Sequence, residues 1–237
     1  GEAILHHAMG STCAATDFLP VDNPVGRGAR LSIAPNGGRS SDGHLPFFNL
    51  EWDGGGLVGA IGWSGQWLLD VSRDNGRQIS LQAGQQFARL TLRPGESIRT
   101  PRILLVSWVG SDYLAGHNAL RRLEIEQYVP RIEGQVAVPL VTHCTWFMYN
   151  EGNAVTEQNQ LQCIGMEGSL GIESYWLDAG WFQGGWPTGA GSWVPKLEAF
   201  PNGLRPVGDA AHAAGLKFVL WFEPERVTRQ SLIMKEH

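Results

Sequence analysis

The 237-residue chain is 43% apolar and 17% charged, the balance of a folded protein rather than a disordered one. Its formal charge of −5 and scattered basic residues, with no run longer than Arg121-Arg122, exclude a general binder of nucleic-acid backbones. No stretch approaches the roughly 18 to 20 uninterrupted apolar residues of a membrane span, so neither nucleic acid nor a membrane is expected as a partner.

The length accommodates one large domain or two ordinary ones. Cys13, Cys144 and Cys163 are odd in number, far apart and in no metal or redox spacing, so a disulfide framework is not expected. The opening Gly-Glu-Ala-Ile-Leu-His-His has neither an initiator Met nor the basic-then-apolar pattern of a signal peptide. The chain therefore reads as beginning inside a larger protein. Its compartment is left unassigned, with a soluble, cytoplasmic setting as the default expectation.

Residues 1 to about 112 read as β structure. Short apolar or alternating runs at Phe47–Trp52, Leu57–Trp63, Trp67–Val71, Phe87–Leu92 and Ile103–Trp108 are separated by turn clusters such as Asn36-Gly37-Gly38, Asp53-Gly54-Gly55-Gly56 and Arg93-Pro94-Gly95-Glu96. Strands this short and evenly spaced predict a sandwich. The texture changes near Gly116, where residues 117–128 read as a helix closed by Pro130. Val136–Trp146 then reads as a buried strand, 156–170 as a helix weakened by Gly165 and Gly168, and Glu173–Trp181 as the next strand. Leu204, Val207, Ala210, Ala211 and Ala214 share one face of a helix that Gly215 would stop, and Leu216–Phe222 returns as a strand. Such a β-α-β-α-β run begins either a doubly wound sheet or a (β/α)8 barrel. The boundary is placed near Arg131, giving domains 1–131 and 132–237.

Asp178 and the Glu223–Glu225 pair each follow a short apolar run, where parallel strands of α/β enzymes keep their chemistry. Asp178 would face the mouth of the sheet; its alternative role is a turn-stabilising carboxylate. Glu223 and Glu225 flank Pro224, and period-two geometry would put both on one side if the strand continued. Two carboxylates suit glycoside hydrolysis, and the competing reading pairs one with Arg226 to buttress the rim. Trp146, Trp181, Trp193 and Trp221 are either sugar platforms or large packing residues. Trp193 lies in a Gly-rich polar connection, where packing explains less.

His143 and Cys144 are adjacent in a strand and so point to opposite faces, which argues against a nucleophile pair. Gly54–Gly59 matches G-x-G-x-x-G, but a β-like run follows it instead of a helix, so a hairpin is expected. No metal site is read from the sequence.

The chain resembles glycoside hydrolase family 36, the α-galactosidase-like family. The resemblance is carried by Asp42-Gly-His-Leu-Pro-Phe-Phe-Asn49, Gly62-Trp-Ser-Gly-Gln-Trp67, Arg99-Thr-Pro-Arg-Ile103, Leu177-Asp-Ala-Gly-Trp-Phe182, Phe200-Pro-Asn-Gly-Leu204 and Trp221-Phe-Glu-Pro-Glu-Arg226, in that order. It implies a β-sandwich followed by the first three β/α units of a (β/α)8 barrel, here incomplete. It also implies retaining hydrolysis of terminal α-galactosides, with no cofactor; a homo-oligomer of the full-length protein is compatible with the sequence, which leaves the oligomeric state open.

By the same resemblance, Asp178 would grip sugar hydroxyls, Trp146 and Trp193 would line the sugar pocket, and Trp181 and Trp221 would pack its rim. Neither Glu223 nor Glu225 would be catalytic. The second tandem aspartate is Ala179 here, and the Gly-Asp-Trp aspartate is Ser192. The nucleophile and the acid/base are expected after later barrel strands, so no catalytic residue is assigned up to His237, and the chain alone is expected to be inactive. Galactosyl transfer of the raffinose-synthase type and a non-catalytic carbohydrate-binding scaffold are the alternatives.

Overall fold

The computed structural model describes residues 1–236 and divides the chain into two compact units, Gly1–Ala137 and Val138–His237. The first unit is built from β1 (Ala3–Met9), β2 (Pro20–Pro24), β3 (Arg30–Ile33), β4 (His44–Trp52), β5 (Gly55–Gly62), β6 (Trp67–Arg73), β7 (Ile79–Gln85) and β8 (Arg102–Val109). Helix α1 (Leu114–Gln127) and a short hairpin, β9 (Arg131–Ile132) with β10 (Gln135–Val136), complete it.

Two antiparallel sheets, ordered β2-β1-β4-β5-β8 and β3-β6-β7, share one core. Strand β6 shows why: its residues alternate buried and half-buried, so Trp67, Leu69 and Val71 point inward. They pack with Leu5, Phe48, Leu50 and Ile61 of the larger sheet. Trp67 is fully buried and its indole N–H donates to the Ser40 carbonyl at 2.7 Å. This is the sandwich expected from the turn spacing.

The outer face of the larger sheet is covered by α1 through Val58, Trp108 and Leu120. Trp108 fits a slot floored by glycines: a Cβ on Gly56 would lie 2.4 Å from its ring, and one on Gly116 at 2.5 Å. Asn49 accepts the Trp108 indole N–H at 2.8 Å and donates to the Tyr113 carbonyl at 2.9 Å. The Gly54–Gly59 segment is the β4–β5 hairpin, with Trp52 opposite Gly55 and Gly54 at φ +84°. No helix follows it.

One expected strand is absent. Phe87 has φ +57° and is 84% exposed, and residues 87–92 leave the sheet; the third strand of the smaller sheet is β7, which precedes them. The polarity of β1–β3 hid them. β1 carries His6-His7, and β2, bracketed by Pro20 and Pro24, survives as an edge strand where a missing N–H is tolerated.

The second unit contains β11 (Thr142–Cys144), α2 (Glu157–Glu167), β12 (Ser174–Leu177), α3 (Arg205–Ala213), β13 (Lys217–Leu220) and the five-residue α4 (Leu232–Glu236). The strands form a parallel sheet in the sequential order β11-β12-β13. Helix α2 begins in a reciprocal cap: the Thr156 hydroxyl accepts from the Asn159 N–H at 3.2 Å, and the Asn159 side chain accepts from the Thr156 N–H at 2.8 Å. Gly215, at φ +77°, follows the last turn of α3. Tyr175, Leu177, Cys163, Ile164, Val207 and Ala211 fill the layer between strands and helices.

All three strands are shorter than their apolar runs. Pro139 interrupts the run expected from Val136 to Trp146, Val138 is 78% exposed, and only Thr142–Cys144 pairs. The runs expected as Glu173–Trp181 and Leu216–Phe222 pair only over Ser174–Leu177 and Lys217–Leu220.

In the first unit, burial pulls the imidazoles of His7, His44 and His117 below their ordinary value of 6.5, and neighbouring histidines add to the effect at His7 and His117. Below pH 6.5 the unfolded chain therefore binds more protons at these positions than the folded one does. Their contribution to stability is complete above that value and is lost as pH falls through it toward the lowered folded values. The thermal unfolding midpoint is expected to be lower at about pH 5.5 than at about pH 7.5, with a shallower dependence in His117→Asn. A midpoint indifferent to this interval contradicts the assignment.

Candidate functional site

The site is built at the C-terminal ends of β11, β12 and β13. Because Cys144 lies opposite Trp176 and Leu177 opposite Leu220, the strands finish nearly level and the residues that follow them converge. Asp178, the first residue past β12, is half-buried. Its Oδ1 accepts from the N–H of Ala179 at 2.6 Å, and its Oδ2 accepts from the Cys144 thiol at 3.1 Å. The Asp178 N–H in turn donates to the Thr145 hydroxyl at 3.2 Å. The carboxylate is thus fixed from two strand ends, while half-burial leaves it accessible to a ligand.

Aromatic rings surround these ends in a continuous line. Trp146 meets Trp186 at 5.6 Å, Trp186 meets Trp221 at 5.4 Å and Trp221 meets Trp193 at 6.0 Å between ring centroids. Edge-to-face contacts of this kind stabilise by about 0.5–1.5 kcal/mol beyond area burial. Trp146, Trp193 and Trp221 are partly exposed and retain ring surface for a ligand.

Trp181 differs. It is 1% exposed, packs on Phe182, Trp193 and Phe222, and donates its indole N–H to the Trp221 carbonyl at 3.1 Å. Its place among the sugar-facing residues is corrected: it is the floor on which the exposed rings rest.

Glu223 and Glu225 are not brought together. Regular pairing stops at Leu220, so the two-residue period does not extend to them. Glu223 is half-buried and pairs with Arg226 at 3.2 Å, whereas Glu225 is exposed. Arg226 also sits 4.7 Å from the centre of the Trp186 ring, a cation–π contact, so Glu223 steadies the rim through it. The geometry is that of the rim buttress through Arg226 and not of an acid/base pair.

Ala179 is fully buried and offers no polar side-chain group. Ser192 is also buried, and its hydroxyl accepts from the Leu232 N–H at 3.1 Å, at the start of α4. His143 and Cys144 point to opposite faces, as their adjacency in a strand requires: Cys144 meets Asp178, and His143 pairs with Glu167 of α2.

The sequence reading missed four participants. Thr145 and Cys144 supply the partners of Asp178. Asn153 brackets Trp186, accepting its N–H at 2.7 Å and donating to its carbonyl at 2.9 Å. Lys196 is buried and donates to the Asn153 carbonyl at 2.8 Å; burial pulls its ammonium below the ordinary lysine value. The available signal was Gly184-Gly185-Trp186-Pro187, a second tryptophan in a glycine-rich connection.

The Melibiase family model matches residues 143–237. An α-galactosidase of Lactobacillus acidophilus is 31% identical over 227 residues, which cover 90% of this chain and 30% of that protein. An α-galactosidase of Pediococcus pentosaceus is 30% identical over 210 residues, 84% of this chain and 28% of that protein. The crystal structure of an α-galactosidase from Lactobacillus brevis matches the whole chain and 32% of its own, at 23% identity and a TM-score of 0.80. A variant α-galactosidase from Geobacillus stearothermophilus, crystallised with raffinose, matches with a TM-score of 0.77 at 24% identity over 33% of its chain. The chain spans about a third of the length of the relatives it matches.

Burial pushes the Cys144 thiol up to about 11, with Asp178 adding to the rise, and burial with Glu167 does the same to Cys163. Cys13 is exposed. Since the thiolate is the reactive form, a disulfide reagent at neutral pH is expected to modify one thiol of the native chain rapidly and two slowly. Cys13→Ser should remove the fast phase; three equally fast thiols contradict the site geometry.

Proposed function

Because this chain belongs to glycoside hydrolase family 36, the α-galactosidase-like family, we propose that it contributes the glycone-binding side of a retaining α-galactosidase. The observation that carries this reading is Asp178, held at a strand end by the Cys144 thiol and the Ala179 N–H, among partly exposed tryptophans. A pyranose presents hydroxyls that need acceptors and C–H faces that pack on rings. Asp178 would accept hydroxyls, Trp146 and Trp193 would wall the subsite, and Trp221 would close its edge.

The sequential parallel order β11-β12-β13 is what the first three strands of a (β/α)8 barrel provide, and it supports that architecture for the whole enzyme. In that enzyme two further carboxylates, about 5 to 5.5 Å apart, would carry out double displacement. Substrates of the raffinose class fit the proposal, since a related enzyme has been crystallised with raffinose. Buried Ala179 favours a second reading: with no carboxylate there, one hydroxyl contact is lost, and a sugar modified at that hydroxyl, or transfer to an acceptor, becomes compatible.

Asp178→Asn in the full-length protein tests the reading. Hydrogen bonds to a charged group stabilise by about 1.5–3 kcal/mol, so kcat/KM for an aryl α-galactoside should fall about ten- to a hundredfold with far-ultraviolet circular dichroism unchanged. Wild-type kcat/KM in the variant would sink the proposal. The 237-residue chain by itself is expected to show no turnover of the same substrate; hydrolysis by it would place the catalytic pair within these residues.

A further inference from the structure

We propose that His143, Cys163 and Glu167 form a binding site for a divalent cation of the zinc class, tying α2 to β11. None of these side chains is used by the proposed sugar site. The two sites occupy opposite faces of β11, since Cys144 turns toward Asp178 and His143 toward the helix.

The fold assembles the three donors from two elements. Cys163 and Glu167 are four residues apart on α2, so they share one face of it. His143 projects from β11 onto that face. One nitrogen, one sulfur and one oxygen result, all within 4.8 Å of one another. Cys163 Sγ lies 2.9 Å from Glu167 Oε1 and 3.8 Å from His143 Nδ1, and His143 pairs with the same carboxylate oxygen. Donors that each sit about 2.0–2.3 Å from a common zinc ion stand about 3–4 Å apart, so modest side-chain rotation opens the cluster around an ion. Imidazole, thiolate and carboxylate together make a set that suits zinc better than magnesium or calcium.

A second observation points to a ligand. Glu167 is only 8% exposed, and its other oxygen, Oε2, is buried with no hydrogen-bond partner among the described residues. A carboxylate shut away from water with an idle oxygen costs free energy unless a cation or donor satisfies it. Cys163 is 1% exposed, and the Met148 thioether lies 4.0 Å from its sulfur. The surroundings are ordered: Tyr175 sets its ring edge against His143 at 5.8 Å between centroids, and its hydroxyl donates to the buried Gln160 side chain at 2.8 Å. Cys163 would bind as the thiolate, its proton passing to solvent, with Glu167 Oε2 or a water completing a four-coordinate shell.

The spacing of the three residues conceals the site, because His143 precedes Cys163 by 20 positions and belongs to another element. Cobalt(II) titration of the untagged, metal-stripped chain tests it. A thiolate-to-cobalt charge-transfer band saturating at one equivalent is expected, reversed by zinc. Cys163→Ser should abolish the band, Cys13→Ser/Cys144→Ser should retain it, and Glu167→Gln should weaken cobalt binding at least about tenfold. X-ray absorption on the zinc-loaded wild type needs no variant and should find one sulfur among nitrogen and oxygen neighbours. No band at one equivalent, a band that survives Cys163→Ser, or a shell without sulfur overturns the proposal.

Discussion

The parallel, level pairing of β11, β12 and β13 is the constraint on which the candidate site depends. Three strands of three or four residues bring Thr145, Asp178 and Trp221 to one edge, although the sequence separates them by more than thirty positions at each step. Each strand is too short to be stable alone. What fixes the register is the layer beneath, where Tyr175 and Leu177 are sealed against Cys163, Ile164, Val207 and Ala211. A one-residue slip would carry these side chains to the other face and take the site apart. Packing on the helix side thus determines geometry at the strand ends.

On that frame the site divides labour between rigid and accessible parts. Trp181 and Phe182 are buried and act as a base, while Trp146, Trp193 and Trp221 keep partly exposed rings above it. Long aromatic side chains lose little entropy when a ligand arrives if they are already packed edge to face. Asp178 is similarly prepared, its oxygens oriented by a main-chain N–H and a thiol. A half-buried Cys144 that stays protonated serves this purpose as a donor, which a thiolate could not.

Much of this was legible in the sequence, for physical reasons that differ by element. Helix α3 was visible because its apolar positions share one face and Gly215 ends it; β4, β5, β6 and β8 were visible through alternation between glycine-rich turns. β1 to β3 were not, since His6-His7 and the Pro20–Pro24 segment look polar until cross-strand partners are known: His6 is held between Asp22 and Glu51. Phe87–Leu92 misled through composition alone. In the site, the position of Asp178 just past a strand was readable from its apolar lead-in. The burial of Trp181 was not, because exposure of a tryptophan depends on neighbours far away in sequence. The opposite orientations of His143 and Cys144 followed from strand geometry, but the partners each would meet did not.

The most direct measurement is a crystal structure of the full-length protein with an α-galactoside or a galactose-configured inhibitor bound. The proposal predicts the glycone at the ends of β11–β13, its hydroxyls within hydrogen-bond distance of the Asp178 carboxylate and a C–H face on Trp146 or Trp193. A sugar bound elsewhere, with Asp178 still paired only to Cys144 and Ala179, would contradict it.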